Sequence, residues 1–457
     1  MSNSIAGVAR APPPPIVGGQ AAVAVSDPLP PGPIALAAAG GRDTLETLER
    51  VRARYGDLVR LARPGAEVWL VAGPGLARAV LAERPQDFGK GARRRGARAL
   101  HAVLGGGLLT APDDGRRLRR RRTLQPAFSR ARIDALVPAA SSLAADRVDR
   151  WLRTSARAGA VDVYPELEEL AARLTQRLLF GRELDSAASR ALRLPLALGA
   201  VSMGRARAAR AAVDAVLTSE LARRAAEPMP AAVQDALGLL LGARHAGRID
   251  DAGILDELAT LTLAGIETSA SAAAFALSLL ARDHAVQRDV AADVARSLRD
   301  RPPTTAADLR RLPAVAAAFD ESLRLFPPVP AAPRQALRDS LLGGRLVPAG
   351  TRLLVSIHTL HRHPDYWRDP AAFRPHRFLD GDGGPARAAF LPFGAGTHLC
   401  LGRELATMLG RLVIASCVQR AVLSAPEDEP LRRKLAVGLT PASGTRLTLA
   451  PRGAGRG

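Results

Sequence analysis

The sequence contains very little cysteine and very little lysine. Cys400 and Cys417 are the two cysteines in 457 residues, which excludes a disulfide framework and a four-cysteine zinc site and favours a reducing compartment. Lys90 and Lys434 are the two lysines among 64 basic residues, so 62 are arginine. The formal net charge of +20 suggests polyanionic partners. Such an excess of arginine, with abundant Ala, Gly and Pro, is more typical of a GC-rich coding bias.

The sequence also lacks a recognisable secretion signal and a clear membrane span. Residues Met1 to Pro15 have no apolar segment, and Ala21 to Ala39 is interrupted by Asp27 and four prolines. Leu258 to Ala281 passes the length test for a membrane helix with a single charge, Glu267. Its six Ser and Thr residues and its central carboxylate favour a helix buried in a soluble protein. We therefore expect a cytoplasmic protein.

The remaining pattern predicts one large, mainly α unit with small β-sheets. Apolar residues make up 47% of the chain, enough for a globular core. Helical periodicity dominates from about Arg116 to Leu325, after a helix over Asp43 to Tyr55 and a hairpin over Asp57 to Ala72. Strands are expected at Arg352 to Ile357, Lys434 to Leu439 and Arg446 to Leu449, the last two flanking a Pro441/Gly444 turn. We expect a Pro-rich mobile tail over residues 1–30, a catalytic domain over 31–452 and a short tail over 453–457.

The most specific pattern is the stretch from Phe393 to Gly402, where three glycines surround Cys400. Glycine lets the backbone turn sharply and approach a flat ligand closely. A helical pattern starts at Leu401, so Cys400 is expected at a helix N-terminus, where the dipole favours a thiolate. A lone thiolate is a soft ligand for iron rather than zinc. The alternative is an inert buried cysteine, the interpretation that we adopt for Cys417.

This stretch resembles the haem-binding signature of the cytochrome P-450 family, and two further motifs agree with it in order. Glu321-Ser322-Leu323-Arg324 resembles the family's Glu-x-x-Arg pair, and Ala264-Gly265-Ile266-Glu267-Thr268 resembles its oxygen-activation motif. The resemblance runs from about Pro30 to Pro451. It implies a single P-450-type fold with haem between a long central helix and the cysteine loop. It also implies a monooxygenase that hydroxylates or epoxidises an apolar small molecule.

The resemblance assigns roles to individual residues. Cys400 would be the axial ligand of haem iron, beside Phe393, Gly394 and Gly265. Glu267 and Thr268 would be catalytic and relay protons for dioxygen activation, with Thr268 bonding back to a preceding carbonyl and opening the helix locally. Gly265 would let the helix pass close to the haem. The presence of both Glu267 and Thr268 favours dioxygen chemistry over a peroxide-dependent reaction.

Arginines and one histidine complete the implied haem site. Arg377 would join Glu321 and Arg324 in a buried structural cluster. The haem propionates would be held by His398, Arg121 and Arg334. The sequence departs from the family pattern at Arg117, which stands where Trp or His is usual; arginine can still donate to a carboxylate. The residues expected to line the substrate pocket are Leu261, Leu263, Ala264, Val329, Ala331, Ala332 and Thr440.

The implied cofactors are haem b and O2, with NAD(P)H acting indirectly through redox partners. The implied partners are a ferredoxin or flavodoxin and its reductase, and an apolar substrate of the lipid, terpenoid or polyketide type. Thirteen basic and two acidic residues lie between Lys90 and Arg132, and we expect part of this cluster to attract an acidic electron donor. A nucleic-acid interface is not expected, because Phe128 is the one aromatic residue there.

Two alternative functions remain open at this point. The same fold could catalyse a peroxygenase or isomerase reaction. A basic scaffold or nucleic-acid-binding protein without haem is the rival from another class. His358, His361 and His363 form a loose histidine cluster, but no carboxylate or cysteine stands at metal-ligand spacing, so we interpret it as structural.

Overall fold

The computed structural model describes residues 29–32, 34–35, 44–63, 66–91, 97–193, 203–227, 235–299, 301–379, 383–426, 429–435 and 437–453. Nearly all of the expected tails, over residues 1–30 and 453–457, lies outside these ranges, as do Arg93, Arg94 and Arg95 of the basic cluster.

The described residues form a mainly helical protein with small sheets, as the sequence predicts. The helices are α1 (Thr44–Tyr55), α2 (Pro74–Arg78), α3 (Ala97–Leu104), α4 (Gly115–Leu124), α5 (Arg130–Ala158), α6 (Tyr164–Phe180), α7 (Ser186–Arg193), α8 (Met203–Ala225), α9 (Ala236–His245), α10 (Asp251–Leu280), α11 (His284–Leu298), α12 (Ala306–Arg310), α13 (Pro313–Leu325), α14 (Ile357–Leu360), α15 (Gly383–Ala389) and α16 (Arg403–Arg420). The strands are β1 (Ile34–Ala35), β2 (Leu58–Arg63), β3 (Ala66–Val71), β4 (Phe88–Gly89), β5 (Val161–Asp162), β6 (Ala332–Ala336), β7 (Ser340–Leu342), β8 (Arg345–Val347), β9 (Arg352–Val355), β10 (Ala421–Ser424), β11 (Arg433–Leu435), β12 (Leu439–Pro441) and β13 (Arg446–Pro451).

The largest sheet has six strands in the order β1-β2-β3-β9-β6-β4. Strands β2 and β3 pair antiparallel with Leu58 opposite Val71, which confirms the predicted hairpin, and β9 joins β3 in parallel. The strand predicted at Arg352 to Ile357 is confirmed as β9. Its neighbour β6 was not predicted, because Pro333 and Arg334 disguise the alternation of buried side chains.

The two C-terminal strand segments, which were expected to flank the Pro441/Gly444 turn, do not pair with each other. Strand β11 pairs antiparallel with β12, so that a short hairpin forms within the first segment. Strand β13 instead pairs with β10 and β5, and the three form a separate sheet. Partners that lie hundreds of residues away in the chain carry no signal in local alternation.

Helix α10 forms the centre of the molecule. The side chain of Asp250 caps its start by accepting a hydrogen bond from the N–H of Gly253 over 2.8 Å. The helix packs on α6, α13 and α16. Among the described helices it is the one that is long and apolar enough to cross a membrane, and 78% of its apolar window is buried in the protein. Such burial is typical of a core helix.

The main hydrophobic core surrounds α10 and joins it to α5, α6, α11, α13 and α16. Cys417 on α16 is fully buried in this core, as predicted, and burial alone raises the pKa of its thiol. The core holds α10 and the loop before α16 in fixed positions. These two elements carry Cys400, Glu267 and Thr268 of the candidate active site.

Candidate active site

Cys400 lies at the end of a tight loop that leads into α16. Gly394 and Gly396 adopt φ angles of 69° and 65°, which favour glycine. A Cβ atom on Gly396 would lie 2.3 Å from the carbonyl oxygen of Leu81, so a larger residue would not fit. The N–H of Cys400 donates to the carbonyl oxygen of Phe393 over 2.9 Å and closes the loop. The helix starts three residues later.

The Cys400 side chain is accessible although protein atoms surround it. The residue is exposed, yet burial is the largest influence on its thiol and raises its pKa. A ligand could therefore reach the sulfur within a surrounding of protein atoms. A hydrogen bond from the N–H of Gly402 and the positive charges of Arg121 and Arg403 lower the pKa, but less than burial raises it. The start of the helix is therefore not enough to stabilise Cys400 as a thiolate. A bound metal ion would deprotonate the thiol.

Helix α10 has one open face in its otherwise buried middle. Ala264 is exposed, and Leu261, Gly265 and Thr268 are half-buried, whereas the residues between them are buried. Their spacing of three, four and seven residues places them on one side of the helix. The hydroxyl of Thr268 donates to the carbonyl oxygen of Ala264 over 2.6 Å. The helix stays continuous through this bond, so the local opening expected from the sequence is absent over α10.

Glu267 lies beside this face and is 8% exposed. A Cβ atom on Gly438 would lie 3.3 Å from its Oε1 atom, which places the carboxylate against the turn before β12. Burial raises the pKa of Glu267, and the negative charge of Glu168 on α6 raises it further. Glu168 hydrogen-bonds Tyr164, whose hydroxyl lies 3.3 Å from Ser271 Oγ, one helical turn beyond Glu267. No spacing in the sequence connects α6 with α10, so this neighbourhood was not predicted.

One predicted pocket residue on α10 needs correction. Leu263 is 1% exposed and packs with Val103 and Leu104 in a small apolar cluster, so it does not line the open face. Gly265 also borders the neighbouring helix, because a Cβ atom there would lie 3.0 Å from Thr175 Oγ1 on α6. The missing side chain thus permits close packing of α6 on α10.

The other predicted pocket segments meet next to Glu267. The N–H of Leu439 donates to the carbonyl oxygen of Pro328 over 2.8 Å, which joins the turn before β12 to the segment after α13. Val329 is 49% exposed, a high value for a large apolar side chain. The remaining predicted pocket residues in these segments, Ala331, Ala332 and Thr440, are half-buried.

Glu321, Arg324 and Arg377 form one buried ionic cluster. Glu321 and Arg324 are fully buried and pair through two hydrogen bonds of 2.7 and 2.8 Å. Arg377 Nε donates to Glu321 Oε1 over 3.0 Å. The Arg324 guanidinium also donates to three backbone carbonyls, those of His361, Pro370 and Ala372. The cluster ties α13 to the chain segment that precedes the cysteine loop.

The three histidines of the loose cluster each have protein partners. His361 accepts a hydrogen bond from the N–H of Leu391 over 2.9 Å. His358 lies 2.6 Å from a carboxylate oxygen of Glu49, and His363 lies 3.1 Å from one of Asp57. These contacts are consistent with the structural role that we expect for them.

A cluster of cations surrounds Asp113 near the cysteine loop. Asp113 Oδ1 lies 3.0 Å from both His398 Nε2 and Arg117 Nε. Its Oδ2 atom accepts a hydrogen bond from the N–H of Lys90 over 2.7 Å. These hydrogen bonds and charges hold the pKa of Asp113 well below its usual range although burial opposes them, and its charge also acts on Arg334.

Positive charge in this cluster exceeds negative charge. Burial, Arg117 and Arg334 lower the pKa of Lys90 to about 8 although Asp113 opposes them. The Arg121 side chain forms no hydrogen bond or ion pair with any residue in the described ranges, and it lies near both Arg117 and Cys400. The sequence predicts the arginines and His398 here, but not the roles of Asp113 and Lys90. The one signal for Lys90 is that lysine is rare in this sequence.

These features fit a haem. The accessible thiol of Cys400 suits a soft iron ligand. The open face of α10 offers space for a flat ring. The cations around Asp113, together with Arg121, suit two carboxylates, because a buried cation is stabilised by a paired anion.

Comparisons with known proteins agree with this fit. The family model for Cytochrome P450 matches residues 28–202 and 201–448. Cyclooctat-9-en-7-ol 5-monooxygenase from Streptomyces melanosporofaciens is 33% identical over 80% of this chain and 82% of that protein. A protein named putative cytochrome P450 137 from Mycobacterium tuberculosis is 32% identical over 90% of this chain and 86% of that protein. A crystal structure of a cytochrome P450 shares the fold with a TM-score of 0.77, at 23% identity over 89% of this chain and 98% of that one.

Proposed function

The chain belongs to the cytochrome P450 family and is a haem-dependent oxidoreductase that uses dioxygen; on that premise we propose that it oxygenates an apolar small molecule with two electrons from a separate redox protein. The observation that carries this proposal is the Cys400 thiol, which is accessible among surrounding protein atoms and lies near the unpaired Arg121. A haem b held there would supply the redox chemistry that activates dioxygen.

In this proposal Cys400 ligates the iron, and the backbone around it keeps the sulfur in place. The bond from the Cys400 N–H to Phe393 and the bond from the Gly402 N–H to the sulfur orient the thiolate. His398, Arg121 and Arg334 bind the propionates, with Arg117 and Lys90 adding positive charge. Arg117 reaches this place because the N-cap Asp114 fixes the start of α4 by accepting from the Arg117 N–H over 2.9 Å.

Thr268 and Glu267 handle protons at the open face of α10. The bond from Thr268 to the Ala264 carbonyl holds its hydroxyl in one orientation. Glu267 has a raised pKa, so near neutral pH it can carry a proton more often than an exposed carboxyl. Tyr164 and Glu168 connect its surroundings to the start of α6.

The substrate pocket in this proposal is bordered by three segments. They are the open face of α10 with Leu261 and Ala264, the segment after α13 with Val329, Ala331 and Ala332, and Thr440 on β12. These side chains are small or apolar, and apolar lining is typical of pockets that bind hydrocarbon-rich ligands. One relative is named for oxidising cyclooctat-9-en-7-ol. We therefore favour a terpenoid-like substrate over a lipid or polyketide.

Electrons come from a ferredoxin or flavodoxin whose reductase uses NAD(P)H, and we place the reaction in the cytoplasm. Arg116, Arg119 and Arg122 are exposed on α4 and offer a positive surface to an acidic donor. Arg120 does not belong to this surface, since it donates to the fully buried Glu257 over 3.3 Å. Helix α4 also carries Arg121, so the donor would dock close to the haem.

The test of the reaction is turnover under labelled dioxygen with a reduced ferredoxin and its reductase. We expect one labelled oxygen atom in each product molecule and no product when dioxygen is removed. Product without label, formed from added hydrogen peroxide alone, would establish the peroxygenase alternative. Conversion without any oxygen incorporation would establish the isomerase alternative.

The test of the docking surface is charge reversal at Arg116, Arg119 and Arg122. We expect the triple glutamate variant to lower ferredoxin-supported turnover at low salt by about tenfold or more and to flatten its salt dependence. Arg153→Glu, an exposed change on α5, is the matched control. Unchanged turnover in the triple variant would contradict this docking surface without affecting the proposal for the reaction.

A further inference from the structure

A second cavity, which is wide open to solvent, lies between the start of α5, the end of α6 and the loop that follows α6. Its volume is 430 Å³, within the range of small-molecule sites. The lining side chains that matter are Arg132, Leu136, Arg173, Arg177, Arg182 and Glu183. None of them belongs to the candidate active site, and we call this space the arginine cavity.

The arginine cavity has more positive than negative charge. Four guanidiniums line it, with one carboxylate, Glu183. Arg173 and Arg177 both donate to Glu183, over 2.5 and 2.6 Å, so two cations share one anion. Arg182 pairs with Glu220 outside the lining, and Glu220 also holds Arg223. The carbonyl end of α6 adds about half a negative charge, which leaves a positive excess.

Arg132 is the unpartnered cation in this cavity. Its side chain forms no hydrogen bond or ion pair with any residue in the described ranges, and its Nε atom is buried without an acceptor although the residue as a whole is half-buried. Leaving a buried charged donor unsatisfied costs free energy. An anion in the cavity would supply the missing acceptor, whereas Glu183 is already shared by two arginines.

The neighbouring helix end also favours an anion. Arg132 lies in the first turn of α5, which is 29 residues long, and Ser129 at its N-cap makes no side-chain capping bond. The positive end of this helix dipole adds to the charge of the guanidiniums. Guanidinium forks match phosphate oxygens in pairs, so several arginines around one space suit a ligand with more than one phosphate.

We propose that the arginine cavity binds a small anion that carries a diphosphate group, either inorganic pyrophosphate or the diphosphate of a nucleotide. The monophosphate is a weaker ligand, because it cannot reach the arginines of both α5 and α6 with separate phosphates. This site does not depend on the proposed oxygenation reaction. The haem-loaded protein is the form to be tested.

Isothermal titration calorimetry with sodium pyrophosphate, and separately with ADP, tests this proposal at an ionic strength held constant with sodium chloride. We expect saturable binding with one site per chain and weaker binding of orthophosphate. Arg132→Gln removes the unpartnered cation without breaking a side-chain hydrogen bond or ion pair within the described residues, and we expect it to weaken binding by about tenfold or more. Arg177→Gln is a second variant and should weaken it similarly.

Arg153→Gln is the matched control, because Arg153 is an exposed arginine on the same helix and lies outside the cavity. Its affinity should remain within about twofold of the parent protein. Binding of pyrophosphate and ADP alike would identify the diphosphate as sufficient, and binding of ADP alone would identify a nucleotide. The proposal is overturned if neither ligand saturates at millimolar concentration, or if Arg132→Gln binds as the parent does. It is also overturned if Arg132→Gln changes only ferredoxin-supported turnover, since the cavity would then serve the protein partner.

Discussion

Glu321 shows how a single buried carboxylate can organise the region that precedes the cysteine loop. It accepts hydrogen bonds from Arg324 and Arg377 and from the backbone N–H of Arg374 over 2.8 Å. Removing one partner from a buried ion pair leaves an uncompensated charge in the interior, which costs more than the pair itself contributes. Glu321 therefore affects stability mainly because its loss would leave the buried charge of Arg324 uncompensated.

We expect Glu321→Gln to lower the free energy of unfolding of the haem-loaded protein by about 3 kcal/mol or more. The amide keeps the shape of the side chain but leaves Arg324 without its counter-charge. Denaturant unfolding followed by circular dichroism measures this loss. Glu404→Gln is the control, because Glu404 pairs with Arg403 at the surface and such pairs contribute less than about 1 kcal/mol. Equal losses in the two variants would contradict the structural role of Glu321.

Thr268 is predicted to control proton handling rather than folding. We expect Thr268→Ala to divert reducing equivalents from product to hydrogen peroxide, because the hydroxyl that bonds to Ala264 is lost. Thr268→Ser keeps the hydroxyl and should retain most of the coupling. The ratio of product to consumed reducing equivalents is the measurement. An unchanged ratio in the alanine variant would remove Thr268 from the proposed mechanism.

At the scale of elements, the segment between α3 and α4 is attached to α10 by two carboxylates, the buried Glu257 and the half-buried Asp256. The N–H of Leu108 donates to Glu257 over 2.9 Å, and the N–H of Gly106 donates to Asp256 over 2.7 Å. Arg120 on α4 and Arg210 on α8 pair with Glu257 and Asp256 respectively. These contacts fix how the chain before α4 lies over the central helix.

Glu257 makes this attachment sensitive to pH. Burial, and to a smaller extent the charge of Asp256, raise its pKa, and the Leu108 N–H and Arg120 oppose the rise; together these influences move the pKa from 4.5 to about 7. The folded state therefore holds this proton more tightly than the unfolded state, so Glu257 makes stability fall as pH rises from about 4.5 to 7. We expect Glu257→Gln to remove a contribution to this slope that is at most about 1.4 kcal/mol per pH unit. Thermal unfolding of both proteins across this range measures it, and parallel pH profiles would contradict the assignment.

The elements also show what the sequence can predict. The β2–β3 hairpin and the pairing of Glu321 with Arg324 follow from local spacing, whereas the roles of the Cys400 loop and of Arg377, which reaches Glu321 from 56 residues away, were expected from the resemblance to the P-450 family. The burial of Leu263, the packing of Gly265 on Thr175 and the pairing of β13 depend on distant segments, so local patterns do not contain them. The contacts of Lys90 and Asp113 are long-range in the same sense, since His398 and Arg334 reach them from the other end of the chain.

At the scale of the whole molecule, most of the positive charge comes from arginines distributed along the entire chain. These arginines create a local excess of positive charge where carboxylates are few, as around Asp113 and in the arginine cavity. The first of these places is also where the haem propionates are proposed to bind. The stability of the whole protein should therefore depend on the cofactor.

We expect removal of haem to lower the free energy of unfolding by about 4 kcal/mol or more, as for any ligand present at a thousand times its dissociation constant. The apoprotein would keep the excess cations around Asp113. Calorimetry of the haem-loaded and haem-free proteins measures the difference. Added phosphate salts should stabilise the haem-free form more than the loaded form, and an equal effect on both would contradict the role of these cations.

The central claim is that Cys400 binds haem iron as a thiolate. The most direct measurement is the carbon monoxide difference spectrum of the reduced, haem-supplied protein and of its Cys400→Ser variant, with Cys417→Ser as the control for the buried cysteine. We expect a red-shifted Soret band in the parent and in Cys417→Ser, and no such band in Cys400→Ser. If the band is absent from the parent, or if it persists in Cys400→Ser, Cys400 is not the thiolate ligand of haem iron.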